Sequence, residues 1–505
     1  MAPRTGESAP CLTEPSRPPE RRPARAGLPW GLAVAVGSLL VSFTLLGCDR
    51  SATDHDAPVA VALDDADADI ARGISDLFAA VRAAPQSGEL RGRLAMAYEM
   101  NGFPEAALAT YAQAATLDPD EFSWPYFRAL LLGRSGDLPA ALGSVEQAIT
   151  IDQDYVPAWL WKGKWLMETG DEEAAEIAYR RAQDLGAGSP AIAGLAQIRL
   201  RQDRPGQAVA LLESVSAERS HPQLHRMLGE AYRSLGRGDD ARIAFARGKL
   251  ASPLEWFDPR QFRKTEYVWG FKNQMAHAGD LLHAGMTEEA LEILVVWEDR
   301  YPDDPALLTN LGRAHLNLDD LDRAHEILLR GVSVHSSNQS VAYHFHFHLG
   351  RLYVRWRDDE KALFHLERAA ELNPAQPYPH EERGKILLRQ GRIDEGIEAF
   401  DMAVEKGIPN SDSLLHAAGV AEAARGRWPE AIERFQQATA ANPAYTEAFL
   451  HLARSLGQAG RFDEARDALD WAARLGTHPG AVASARRILA SGETSEVDEP
   501  LPGGA

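Results

Sequence analysis

The sequence predicts an all-α chain built from stacked copies of one helix pair, and three observations predict it. A small residue recurs at Ala107, Ala141, Ala175, Ala208, Ala241, Ala290, Ala324, Ala362, Gly396, Ala431 and Ala465, at intervals of 34, 34, 33, 33, 49, 34, 38, 34, 35 and 34 residues. A glycine stands five positions before it in eight copies: Gly102, Gly136, Gly170, Gly236, Gly285, Gly391, Gly426 and Gly460. Alanine and other strong helix formers dominate, and no segment sustains the two-residue alternation of a sheet. So regular a period means units that touch only their neighbours, and it overrides the usual division of a 505-residue chain into about three domains.

At the N-terminus, Arg4, Arg17, Arg21, Arg22 and Arg25 outnumber Glu7, Glu14 and Glu20, and the 20 residues Leu28 to Gly47 then carry no charge. Residues 1–47 are read as a signal peptide or membrane segment. The run ends in Leu45-Leu46-Gly47-Cys48, which resembles the bacterial lipoprotein processing box, although that family has a smaller residue where Leu46 stands. The resemblance implies that Cys48 is lipidated and becomes the mature N-terminus. Cys11, the only other cysteine, lies in the leader that would be removed. An uncleaved anchor is the alternative, since 20 apolar residues also span a bilayer. Either reading exports the repeats, because the Arg-rich leader stays cytoplasmic. The resemblance also attaches an inner-membrane preference to Asp49, and residues 48–65, rich in Ala and Asp, read as a flexible tether.

Residues 66–86 form a leading amphipathic cap, and residues 87–253 hold repeats one to five. In each repeat a larger apolar residue follows the small one by four positions, as at Tyr111, Tyr179, Phe245, Leu328, Phe400 and Phe435. That spacing puts both on one helix face, so the small side chain admits a neighbouring helix and the large one fills the space beside it. Pro119, Pro253, Pro302, Pro374 and Pro443 fall 12 after the small residue and stop the second helix. Leu228-Gly229, Leu311-Gly312 and Leu349-Gly350 mark first helices, each followed three residues later by Tyr232, His315 or Tyr353. These marks together resemble the tetratricopeptide repeat; the fullest copy runs Leu228-Gly229, Tyr232, Gly236, Ala241, Phe245, Pro253. The resemblance implies a right-handed superhelical solenoid of about eleven helix-turn-helix repeats, with a concave groove lined by first helices that grips another protein chain.

The 49-residue interval holds an insertion at 254–270 with Trp256, Phe257, Phe262, Tyr267 and Trp269. Five aromatics exceed what a turn needs, so the insertion either staples two half-solenoids or presents a docking patch. Residues 271–478 carry repeats six to eleven, 479–490 a closing helix, and 491–505 an acidic tail read as disordered. With nearest-neighbour stacking as the only cohesion, 66–253 and 271–490 are each expected to fold alone.

The chain carries a net charge of −20; five Arg against three Glu leave the first 48 residues at +2 and the remainder at −22. That excludes general nucleic-acid binding, which needs a basic face. Walker, GxSxG, HExxH, CxxCH and dinucleotide-loop signatures are lacking, so the reading is non-enzymatic and without cofactor. Nine of the 16 His lie between His283 and His380, and His344 and His348 share a helix face at i, i+4, the spacing of a metal-ligand pair. The plainer reading packs His346 at a repeat interface and leaves His344 and His348 as polar groove residues; a metal site or metalloenzyme is the alternative. By the resemblance, the groove of repeats seven to nine is lined by Asn310, Arg313, Asn317, His344, Phe347, His348, Arg351, Arg355, Glu381, Lys385 and Arg389. Five of these are Arg or Lys in an acidic protein, which points to an acidic, extended protein segment as partner. The expected function is an envelope-anchored interaction scaffold, with an accessory subunit of an export or polysaccharide apparatus as a variant of it.

Overall fold

The computed structural model describes residues 57–215, 221–249 and 251–491. Cys48, expected from the sequence to be lipidated, the stretches read as leader and as the start of a tether, and the tail beyond 491 lie outside the described residues. Among the described residues there are 24 α-helices and no strand, and no helix is long and apolar enough to cross a membrane. A leading helix α1 (Ala68–Ala83) precedes five pairs: α2 (Gly88–Met100) with α3 (Pro104–Leu117), α4 (Ser123–Ser135) with α5 (Leu138–Ile151), α6 (Val156–Thr169) with α7 (Glu172–Asp184), α8 (Ser189–Arg201) with α9 (Pro205–Glu213), and α10 (Pro222–Ser234) with α11 (Gly238–Arg247). Residues 251–270 follow, with one stretch of 3-10 helix at Pro259–Tyr267. Six more pairs complete the array: α12 (Phe271–His283) with α13 (Thr287–Val295), α14 (Pro305–Asn317) with α15 (Leu321–His335), α16 (Gln339–Arg355) with α17 (Asp359–Leu372), α18 (Tyr378–Arg389) with α19 (Ile393–Glu405), α20 (Ser411–Ala424) with α21 (Trp428–Ala441), and α22 (Thr446–Gln458) with α23 (Phe462–Leu475). The last helix, α24 (Pro479–Ser491), packs on α22 and α23.

The turn inside each pair has one geometry. The position five before the small residue takes a positive φ in all eleven copies, at the eight glycines and also at Asp203 (54°), Asp319 (62°) and Arg357 (57°). A side chain there costs about 1–2 kcal/mol of steric strain, which asparagine-like Asp tolerates better than Arg357 does. In four copies the next residue caps the second helix: Asp137, Asp171, Asp320 and Asp358 accept a hydrogen bond from the backbone N–H three residues on. A left-handed residue followed by a capping Asp therefore reverses the chain within a few residues.

Packing within the pair depends on an absent Cβ. The small positions are buried throughout, most of them at 0% exposure. In six of the eleven copies the large residue four later lies against a glycine of the first helix, sixteen positions back; in the other five that position is alanine. A Cβ on Gly384 would sit 2.4 Å from the Phe400 ring, and one on Gly419 would sit 2.7 Å from Phe435. Helices approach this closely because the glycine leaves room for the ring.

Nearest-neighbour stacking describes repeats one to five and six to eleven, which we call the first and second arcs. The 251–270 segment does something else. It runs back along the first helices of the first arc as a strap, from repeat five toward α1. Leu254 joins the core of repeats four and five, and Trp256 meets Trp161 edge-on with centroids 4.8 Å apart. Asp258, 7% exposed, accepts hydrogen bonds from Tyr126 and Tyr155, both at 2.5 Å. That carboxylate helps push both phenol pKa values up, after burial itself. The Arg260 guanidinium lies over the Phe122 and Tyr155 rings at 3.9 and 4.2 Å and pairs with Asp152 at 2.6 Å. Lys264 pairs with Glu99 at 2.8 Å, both side chains at least 96% buried, and Glu99 also holds Arg134 and the Tyr111 hydroxyl. Asn101 accepts from the Trp269 backbone N–H and donates to the Tyr267 carbonyl. The Trp269 ring then lies on Gly73 of α1, where a Cβ would come within 2.5 Å of it. Of the five aromatics, Trp256, Tyr267 and Trp269 pack inward, while Phe257 (75% exposed) and Phe262 (51%) stack outside on each other.

Candidate partner-binding groove

The first helices α14, α16 and α18 of repeats seven to nine carry the residues singled out in the sequence. Each side chain is aimed by the same device: Leu-Gly at the core side of α14 and α16 seats the helix on its partner, and the opposite face is left for polar groups. Asn310 is buried and donates to the Met275 carbonyl at 3.1 Å, so it ties repeat seven to repeat six. Asn317 ends α14 at the surface. Phe347 stacks parallel to Tyr343, centroids 6.1 Å apart, with Tyr378 of the next repeat at 6.5 Å.

The five basic residues divide into two sets. Arg355 binds Asp319 at 2.7 Å and the Leu316 carbonyl at 3.1 Å, Lys385 lies between Glu381 and Glu382 at 2.8 and 2.9 Å, and Arg389 binds Asp359. These charges are answered within the chain. Arg313 and Arg351 have no ion-pair or hydrogen-bond partner among the described residues. They are close enough that burial and the Arg351 charge together push the Arg313 pKa below its ordinary value.

His348 sits under this pair. It is 6% exposed and its Nδ1 has no hydrogen-bond partner among the described residues. Burial first, then the charges of Arg351 and Arg313 and the neighbouring His344, push its pKa down to about 3, so it is neutral at ordinary pH. His344 is lowered by desolvation and by Arg313. The site is therefore two uncompensated guanidiniums above a neutral imidazole with an unused nitrogen, bordered by Phe347 and Tyr378. Guanidiniums in this state are donors for carboxylate oxygens.

His346 points away from the groove, to the second helix α17, with Nδ1 3.0 Å from Nδ1 of His365. The Tyr353 ring stacks on His365, and its hydroxyl meets His325 Nε2 at 2.8 Å. His325 and His365 were not singled out from sequence, since neither lies on the spacing that drew attention to the HFHFH run. Among the described residues no three His, Cys, Asp or Glu converge as a metal site would need.

Two family models, both described as tetratricopeptide repeat, match the chain, one at residues 126–190, 194–253, 309–377 and 347–412 and the other at 422–489, together more than half of it. The Protein CTR9 homolog of Arabidopsis thaliana is 27% identical over 131 residues, a quarter of this chain and 12% of the plant protein's length. The chain thus spans about an eighth of that relative. Among solved structures it resembles yeast Tom70 (13% identity, 80% of this chain and 95% of that one, TM-score 0.34). It also resembles YrrB, titled a TPR protein with an unusual peptide-binding site (18% identity, 38% and 97%, TM-score 0.33), and MamA (16% identity, 34% and 92%, TM-score 0.31).

Proposed function

The chain belongs to the tetratricopeptide repeat family, whose members generally act as non-enzymatic protein-binding scaffolds, and from that premise we propose that it is an envelope scaffold gripping an acidic, extended protein segment in the groove of repeats seven to nine. The observation that carries the reading is the Arg313–Arg351 pair. In a chain of net charge −20, cations elsewhere on these helices are bound to carboxylates of the same chain, and these two are not. Two like charges held together without a counterion are destabilising, and an incoming carboxylate relieves that cost.

The test is a labelled oligo-glutamate peptide followed by fluorescence anisotropy. Arg313→Glu with Arg351→Glu should weaken binding roughly 10- to 100-fold, the range that losing charge-assisted contacts implies, with unchanged far-ultraviolet circular dichroism. Arg355→Ala should have a smaller effect, because that guanidinium is already occupied by Asp319. Equal binding by the double variant would remove the acidic-segment reading.

The envelope address is supported by the charge-free run Leu28 to Gly47 ahead of Cys48, with Asp49 favouring the inner membrane's outer face. Intact mass of the membrane-extracted protein should then give a chain beginning at a diacylglyceryl-modified Cys48. A chain that keeps residues 1–47 would assign the run to an uncleaved anchor instead.

A further inference from the structure

The second arc begins where the first begins and ends where the first ends. At its start, Trp269 lies on Gly73 of α1, Gly270 abuts Ile70, and Arg300 binds Asp69 at 2.8 Å. At its finish, repeat eleven meets repeat five. Arg474 on α23 binds Asp239 on α11 at 2.6 Å, and the Arg242 guanidinium lies 4.2 Å from the Trp471 ring centroid. Arg247 donates to the Leu475 carbonyl at 3.4 Å and Lys249 to the Ala441 carbonyl at 3.5 Å. Those two carbonyls end α23 and α21, where helix dipoles concentrate negative charge. Between these junctions, among the described residues, no helix of one arc makes an extended contact with a helix of the other.

The two junctions differ in kind. The first is continuous with the strap, whose Trp269 and Tyr267 belong to the core of the first arc. The second has no shared apolar core, since the clusters of repeats four and five and of repeats ten and eleven are separate. It consists of cations from α11, from Lys249 just after it and from α23, set on a carboxylate, a ring and two helix ends. Arg474 and Asp239 are 58% and 53% exposed, so salt reaches them. Asp239 also receives Arg242 at 3.1 Å, and Asp240 is occupied by Arg237 at 2.7 Å, which makes Asp239 the one acidic group at the centre of the junction.

We propose that residues 57–491 form a closed circuit of two arcs with a fixed hinge at the strap and an electrostatic clasp between repeats five and eleven, and that the clasp opens as ionic strength rises. This does not depend on what the groove of repeats seven to nine binds. The clasp is weak because its ion pair is exposed and no apolar core backs it, and it forms because the strap holds the far ends of both arcs together, which raises the effective concentration of one clasp face at the other.

Small-angle X-ray scattering of the full chain tests it. Between about 50 mM and 500 mM salt, where screening shortens from above to below ~10 Å, the radius of gyration should rise by roughly a tenth or more. Asp239→Arg faces Arg474 and Arg242 with a third cation, so it should give the expanded profile even at low salt. Asp239→Arg with Arg474→Asp should return the compact profile, a rescue that general loosening of the helices would not produce. Circular dichroism at 222 nm should match wild type in both variants, because these side chains are on the surface. A wild-type profile that does not change with salt, or a single variant as compact as wild type, would overturn the clasp.

Discussion

Lys264→Met should destabilise the first arc by about 3–5 kcal/mol, because it takes from the buried Glu99 carboxylate the one of its two cations that is itself buried. Methionine fills nearly the same volume, so lost packing contributes little. Burial pulls the Lys264 pKa down while Glu99 holds it up, the mark of a pair whose charges are stable only together. Arg134 and Tyr111 remain on Glu99 and set the loss toward the lower end. Two measurements check this: the urea midpoint falls, and trypsin cuts at Arg260 and Arg263 faster as the strap loosens. Lys264→Met with Glu99→Gln should recover part of the loss, since no charge is then buried unpaired. A single variant with wild-type midpoint and wild-type proteolysis would mean the strap is held by its aromatic and Asp258 contacts alone.

Acidification should be the second large effect; three histidines set its window beside His365, which burial and its neighbours His346 and His325 also push down to about 4. The pKa of His348 is pushed down to about 3 and those of His416 and His451 to about 4, chiefly by burial, with His416 lowering His451 further. His416 accepts or donates at 3.1 Å to the Tyr445 hydroxyl, and its Nε2 has no partner among the described residues. All three are neutral in the folded chain and titrate near 6.5 when unfolded. Their stabilising effect is therefore complete above pH ~6.5 and is lost as pH falls toward ~4, because the unfolded chain takes up protons that the folded chain refuses. At about 1.4 kcal/mol per unit and residue, the three together should cost on the order of 8 kcal/mol by pH 4.5. Urea midpoints measured from pH 7.5 to 4.5 give the slope, and His451→Leu should flatten it. An unchanged midpoint over that range would mean these rings are hydrated and free to protonate.

The repeat architecture was legible because a solenoid writes its tertiary contacts into a local period. Ala107 and Tyr111 need only the preceding glycine-bearing helix and the next repeat to be satisfied, so spacing of 34 residues reports packing directly. The turn was legible for the same reason, and even copies lacking glycine, at Asp203, Asp319 and Arg357, obey its geometry. The strap's destination was not legible. Five aromatics announce that 254–270 must bury something, yet its partners Tyr126, Asp152, Glu99 and Asn101 lie 132, 108, 165 and 166 residues from their contacts, and no period relates them. The groove was half legible. Its basic residues follow from the phase of the first helices, whereas which of them stay unpaired depends on carboxylates about one repeat upstream, 36 residues for Arg355 and 30 for Arg389. Opposite charges at that separation are a signal a sequence reading could use. Spacing marks His348 as a polar groove residue, yet its ring is buried, and an i, i+4 rule says nothing of how deep a ring will sit.

The strap and the clasp also give the chain a timetable. Each arc can grow by adding a repeat to its neighbour, a series of short loop closures that proceeds quickly from any starting point. Seating Lys264 on Glu99 joins positions 165 apart, and bringing Arg474 to Asp239 joins positions 235 apart, so neither can precede the arcs that present them. Two kinetic stages follow, rapid helix stacking and then slower closure. During the first, the first helices of repeats one to three leave the Trp161 and Tyr126 rings and the Glu99 carboxylate without their strap partners, and on a ribosome that interval lasts until residue 269 has emerged.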